Sequence, residues 1–228
     1  MALASALGVV VLCALGVWQV QRLHWKTDLI ARVEARLAAP PAPAPGPGDW
    51  LGLTAQDDEY RRVAVTGRYD FAAEELAQAV TAQGPGFWVM TPLETSQGWA
   101  VWINRGFVPM DRREVPDRAR PDGTVEVTGL LRMTQPGGAF LRKNDPQAGR
   151  WYSRDVAALS AQHGIAQAAP YFIDAEAGEV AGALPVGGLT VVSFRNTHLS
   201  YALTWFAMAT GLAAASVFAL RRDGRDEP

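Results

Sequence analysis

Residues 199–220 read LSYALTWFAMATGLAAASVFAL, a run without one charge that stops abruptly at Arg221-Arg222. A helix needs about 20 apolar residues to cross a hydrocarbon core of about 30 Å, so the run predicts a membrane span over residues 196–220. At the other end, residues 3–20 read LASALGVVVLCALGVWQV and lead straight into Gln21-Arg22. They predict a first span over residues 1–21. No Lys or Arg precedes this run and no small-x-small cleavage site follows it, so it reads as a retained anchor rather than a cleaved signal peptide. The 228 residues include 21 basic and 23 acidic ones, none of them in residues 1–20 or 196–220. The overall 19% charge is thus an average of two apolar ends and a middle with the roughly 25% of a soluble domain. A single soluble globule is excluded.

The two spans predict a topology. Arg221, Arg222 and Arg225 crowd the end of the second span, and basic residues close to a span mark its cytoplasmic side. With two spans both termini are then cytoplasmic, the tail at 221–228 included, and the residues between the spans lie outside. Trp18 and Trp25 at one exit and Tyr201, Trp205 and Phe206 at the other would form one outer aromatic belt. Small residues recur every fourth position, Ala4 with Gly8 and Ala207 with Gly211 and Ala215, a spacing that lets helices approach closely in a hairpin. General alanine richness explains it equally well.

Net charge of −2 offers no basic face for nucleic acid. The one cysteine, Cys13, lies in the first apolar run, so there is no intrachain disulfide and no paired-thiolate metal or redox motif.

Between the spans the helical pattern continues through residues 22–37, with Leu23, Ile30, Val33 and Leu37 on one face. Residues 38–48, AAPPAPAPGPG, cannot be helical, and residues 38–56 are expected to be an extended spacer. A β-rich domain is expected over residues 57–195. Residues 60–69 alternate, with Val63, Val65 and Gly67 on the inner side; residues 125–133 do the same with Val127, Gly129 and Leu131. Both carry Val-x-Val-Thr-Gly, at 63–67 and 125–129, as a repeated strand in a two-part barrel would. Gly84-Pro85-Gly86 predicts a turn, 87–93 a strand, Ser96-Gln97-Gly98 a second turn, and 99–108 a nearly continuous apolar strand, together a hairpin. Residues 73–79 read as strand, 154–164 as a helix ending at glycine, and 171–174 as strand. The expected fold is α+β: two terminal transmembrane helices flanking an antiparallel β-sheet or partly closed barrel with one or two short helices.

No catalytic set emerges. Asp57-Asp58-Glu59 fits a solvated turn at a strand entry, no glycine-rich phosphate loop precedes a helix, and the histidines number three, His24, His163 and His198. Arg105, in a strand, is expected to be ion-paired. His198 stands at the outer mouth of the second span, just after a candidate cap at Asn196. An ionisable group at membrane depth is a functional candidate. A neutral imidazole there could ligate haem iron, with the macrocycle among Leu199, Ala202, Trp205 and Phe206; it could equally snorkel to the interface or bond a carbonyl.

Five blocks stand in order along the chain: LGVWQVQR at 15–22 with Lys26; GPGF at 84–87 with Thr91-Pro92-Leu93; VWINRGFVP at 101–109; Asn144-Asp145-Pro146 with Trp151-Tyr152; and NTHLSYALTWF at 196–206. Together they resemble the surfeit locus protein family of cytochrome c oxidase assembly factors. The resemblance implies a non-enzymatic assembly factor in the bacterial inner membrane, with its central domain periplasmic, acting in maturation of the haem-copper oxidase large subunit. It further implies haem a bound through His198 as the iron ligand, with Trp205 lining the macrocycle. The implied partners are membrane lipid, the oxidase large subunit and its haem a synthase. An alternative within the same resemblance is a docking scaffold that carries no haem. Copper delivery would need a thiolate pair, which the chain lacks.

Overall fold

The computed structural model describes residues 2–114, 118–139, 141–178, 183–190 and 196–223. The chain divides into two units, residues 1–34 with 192–228, and residues 35–191. The boundary expected at residue 195 and most of the tail expected at 221–228 lie outside the described residues.

The first unit is built from two helices, α1 (Ala2–Ala38) and α4 (His198–Asp223). α1 runs unbroken through the apolar stretch and the polar-faced stretch after it, and it ends just before Pro40-Pro41, whose rings and missing N–H groups stop helices. In α4 the hydroxyls of Thr204, Thr210 and Ser216 each donate to the carbonyl four residues back, so these three are satisfied within an apolar helix. Both helices are long and apolar enough to cross a membrane, with mean hydropathy of 2.1 and 1.7. Leu3, Leu7, Val10, Leu203, Val217 and Phe218 point outward from them.

The two helices run antiparallel, as a hairpin would. A Cβ on Gly8 would lie 2.9 Å from Leu212, and one on Gly16 2.6 Å from the Phe206 ring. The predicted small-residue faces are only partly the ones used. Gly8 serves, whereas Ala4, Ala207, Gly211 and Ala215 are exposed and the buried alanines are Ala202 and Ala209. The stripe through His198, Ala202 and Ala209 faces α1, because there Leu212 and Phe206 find glycines to pack over.

The second unit is a barrel that also carries the short helices α2 (Ala55–Asp58) and α3 (Val156–Gln162). Its strands are β1 (Ala42–Pro43), β2 (Arg62–Tyr69), β3 (Glu75–Thr81), β4 (Gly84–Thr95), β5 (Ala100–Pro109), β6 (Thr124–Met133) and β9 (Ala168–Ala175), with a small separate ribbon of β7 (Gly138–Ala139) and β8 (Arg142–Lys143). The sheet order is β1-β2-β6-β9-β5-β4-β3, and a further β2–β4 pairing closes five strands into a ring. Of the expected antiparallel sheet or partly closed barrel, the barrel is what forms, but its strands are not all antiparallel: β5 and β9 are parallel, as are β1 and β2. A closed ring with an odd number of strands cannot alternate direction throughout, so at least one neighbouring pair must be parallel.

The two Val-x-Val-Thr-Gly strings pair with each other, antiparallel and centred on Val65 opposite Val127. Their glycines have one job in common. A Cβ on Gly67 would sit 2.4 Å from the Glu94 carbonyl oxygen, and one on Gly129 2.3 Å from that of Asp174. Each glycine thus lets the strand on the other side, β4 or β9, approach closely, which is how a small barrel turns a corner. Val63, Val65, Val127 and Leu131 fill the interior with Leu93, Val101, Ile103, Tyr171 and Ile173.

β5 reads as continuously apolar because it is buried on both faces. Val101 and Ile103 point into the barrel, while Trp102 joins Met90, Trp151 and Phe172 beneath α3 (Val156–Gln162). α3 starts at Asp155, whose carboxylate accepts from Ala158 N, and Val156 and Leu159 are buried as the pattern predicts. The first predicted turn is displaced: Ala82-Gln83 form it, and 84–86 already belong to β4. Gly86 is needed for a different reason, since a Cβ there would strike the Val108 carbonyl at 2.2 Å.

The proline-rich stretch is extended, as read, but it does not stand free. Ala42-Pro43 pair with β2, the Pro45 carbonyl accepts from Tyr171 Oη at 2.8 Å and from Trp50 Nε1 at 3.0 Å, and Trp50 meets Trp99 edge-on. Prolines lacking N–H groups can line a sheet edge where only acceptors are required.

Candidate functional site

His198 is the first residue of α4, and its backbone N–H donates to Asn196 Oδ1 at 3.4 Å, the cap expected there. Its ring is half-buried. The Nδ1 atom lies 2.7 Å from Gln19 Oε1, and a carboxamide oxygen can only accept, so Nδ1 carries the proton. None of the described residues bonds Nε2, so in the neutral ring that nitrogen is free to accept or to ligate. A hydrogen bond to the remote ring nitrogen is the usual way proteins orient a ligating histidine and make it more basic. Gln19 is itself 8% exposed, so the amide is held in place.

Trp205 lies seven residues, two helical turns, along from His198, on the same face and about 10 Å further down the axis. It is half-buried, as is Phe206, which packs over Gly16. The arrangement can offer one imidazole nitrogen and an apolar, aromatic wall. A haem would ask for a single imidazole from this helix, because its porphyrin already supplies four nitrogens to the iron. Among the described residues no group of three or more His, Cys, Asp or Glu gathers to hold a bare metal ion.

Gln19 was missed in reading the sequence. Its signal was available: an amide inside an otherwise apolar run needs a hydrogen-bond partner, and His198 is the polar side chain in the matching position of the other helix. The remaining histidines do not join the pair. His24 is exposed on α1, and His163, at the end of α3, lies 2.9 Å from Glu75.

The barrel's charged residues have structural partners. In the Asp57-Asp58-Glu59 run, Asp58 is buried and accepts from Thr54 N and Arg61, and Glu59 accepts from Arg132. The run is anchored instead of solvated, because the preceding stretch folds back on the barrel. Asp174, 3% exposed, accepts from Asn104, Arg154, Arg132 and Thr190 at 2.7–3.0 Å. Arg105 is ion-paired as expected, with Glu74 at 3.0 Å. Burial pulls its pKa below the ordinary value, against the opposing pull of Tyr69 and Glu74.

A closed barrel flanked in the chain by two helices, each long and apolar enough to cross a membrane, defines a class of β-barrel proteins with apolar helical ends. The match to known sequences is more specific. The model of the SURF1 family covers residues 6–210, and the chain belongs to that family. It is 36% identical to Surfeit locus protein 1 of Mus musculus over 222 residues, 90% of this chain and 69% of that protein. Against Surfeit locus protein 1 of Homo sapiens the identity is 35% over 223 residues, 90% and 71%. A SURF1-like protein of Monosiga brevicollis is 35% identical over 231 residues, 94% and 85%.

Proposed function

We propose that the chain is a non-enzymatic assembly factor of cytochrome oxidase in the bacterial inner membrane. In this reading α1 and α4 span the bilayer, both termini are cytoplasmic and the barrel is periplasmic. Membership of the SURF1 family supports the assembly role, and Arg221 and Arg222 at the end of α4 support the orientation.

The carrying observation is the Gln19–His198 hydrogen bond, 2.7 Å long. Gln19 holds the Nδ1 proton, so His198 would offer Nε2 as a neutral ligand to haem a, and Trp205 would add apolar aromatic surface beside it. Haem a, when bound, would supply the redox-active iron that the oxidase large subunit requires. The chain's own part would be to hold the group through His198 and keep it in an apolar setting, while the barrel docks on the large subunit or on the haem a synthase. Purified from membranes of a haem a-producing host, the full chain should show a haem spectrum that His198→Ala abolishes. Oxidase copurifying without haem, in both proteins, would leave a docking scaffold and remove His198 as a ligand.

A further inference from the structure

On the barrel, Glu74 gathers three guanidinium groups. Arg105 Nη1 lies 3.0 Å from Oε2, and Arg118 Nη2 and Arg120 Nη2 lie 3.3 and 3.4 Å from Oε1. The Arg105, Arg118 and Glu74 side chains are 7%, 4% and 5% exposed, whereas Arg120 reaches the surface at 39%. Arg118 Nε and Nη1 are buried and find no hydrogen-bond partner among the described residues. Among the described residues, one carboxylate therefore faces three cations, in surroundings dry enough that uncompensated charge is costly.

The cluster adjoins a cavity of about 350 Å³ whose wall includes Arg105, Tyr69, Ala119, Pro121, Leu184 and Val186. Glu176 also borders it but is already committed to Arg62 through two hydrogen bonds. Arg105 itself is braced by donation to the Ala119 carbonyl and by the faces of Tyr69 and Phe71, 5.1 and 4.9 Å away. The wall thus carries a fixed guanidinium, backed by the excess charge of Arg118 and Arg120, beside apolar surface.

We propose that this cavity is an oxyanion-binding site, taking the phosphate or carboxylate group of a small ligand at Arg105, with Arg118 and Arg120 supplying charge from behind through the shared Glu74. It is separate from the imidazole of α4 and does not rest on the haem reading. Desolvated guanidinium–oxyanion pairs are strong and directional, and a buried charge several ångströms away still contributes at the low effective dielectric of such a site.

The test is thermal melting of the full chain in detergent at fixed ionic strength, exchanging chloride for inorganic phosphate. The wild type should be stabilised by phosphate with saturation. Arg118→Met should melt in chloride no lower than the wild type and need at least tenfold more phosphate; Arg120→Gln, at the most exposed of the three arginines, should fold and weaken the response several-fold. A rise that does not saturate, or that Arg118→Met shares unchanged, is general salting of the surface and overturns the site. Should Arg118→Met not fold, an undiminished phosphate response in Arg120→Gln overturns it equally.

Discussion

Gln19 Oε1 and His198 Nδ1 meet at 2.7 Å across α1 and α4, joining two positions 179 residues apart in the chain. The bond decides which ring nitrogen of His198 is free. Replacing Gln19 by Leu keeps the helix apolar but frees the imidazole to rotate and change tautomer. With His198 as the proposed haem ligand, haem affinity followed by titration of the Soret band should fall about 10- to 100-fold, and an unchanged affinity would show that Gln19 does not orient the imidazole.

Gly67 is where the ring closes. A methyl group there would stand 2.4 Å from a backbone oxygen of β4, which cannot step aside as a flexible side chain can. Gly67→Ala should cost about 1–3 kcal/mol or more, read as a lowered denaturant midpoint. Gly52→Ala, in open space, is the control and should change little.

Asp174 is a keystone of the barrel's polar interior, with Arg132 and Arg154 on its two oxygens at 2.9 and 3.0 Å. Asp174→Asn removes the charge that both arginines answer to and should destabilise the barrel by about 3–5 kcal/mol. Arg150→Ala breaks a pair whose side chains are 62% and 39% exposed and should leave the melting temperature unchanged. Equal effects in the two variants would contradict this ranking.

Tyr69 links stability to alkaline pH. Burial raises its pKa to about 12, against the opposing influence of Arg105, while in the unfolded chain it titrates near 10. Above about pH 10 the unfolded state gives up the proton that the folded state retains, so stability should decline as pH rises from 10 to 12. Burial raises Tyr171 in the same sense. Tyr69→Phe should flatten that decline when melting is followed against pH; an equally steep decline would sink the assignment.

Local pattern carried much of this protein. Uncharged runs and their arginine borders mark α1 and α4 because helix formation and apolar burial depend on residues within a few turns of one another. Period-two alternation likewise located β2 and β6 with the right faces inward, and Asp155 and Gly164 bracket α3 by short-range hydrogen bonding and backbone freedom. What lay beyond reading is what depends on distant partners. The parallel β5–β9 pair follows from closing five strands, a property of the ring and of no single strand. Pro45 is held to the barrel by Tyr171, 126 residues away, which turns an apparent spacer into part of the wall. The choice of Gly16 rather than Gly211 as a helix contact, the Gln19 bond to His198, and the three arginines on Glu74 all depend on which faces meet. Sequence determined the elements and their apolar sides; only the tertiary structure decided the pairings, because periodicity tells a strand or helix which side to bury but not against what.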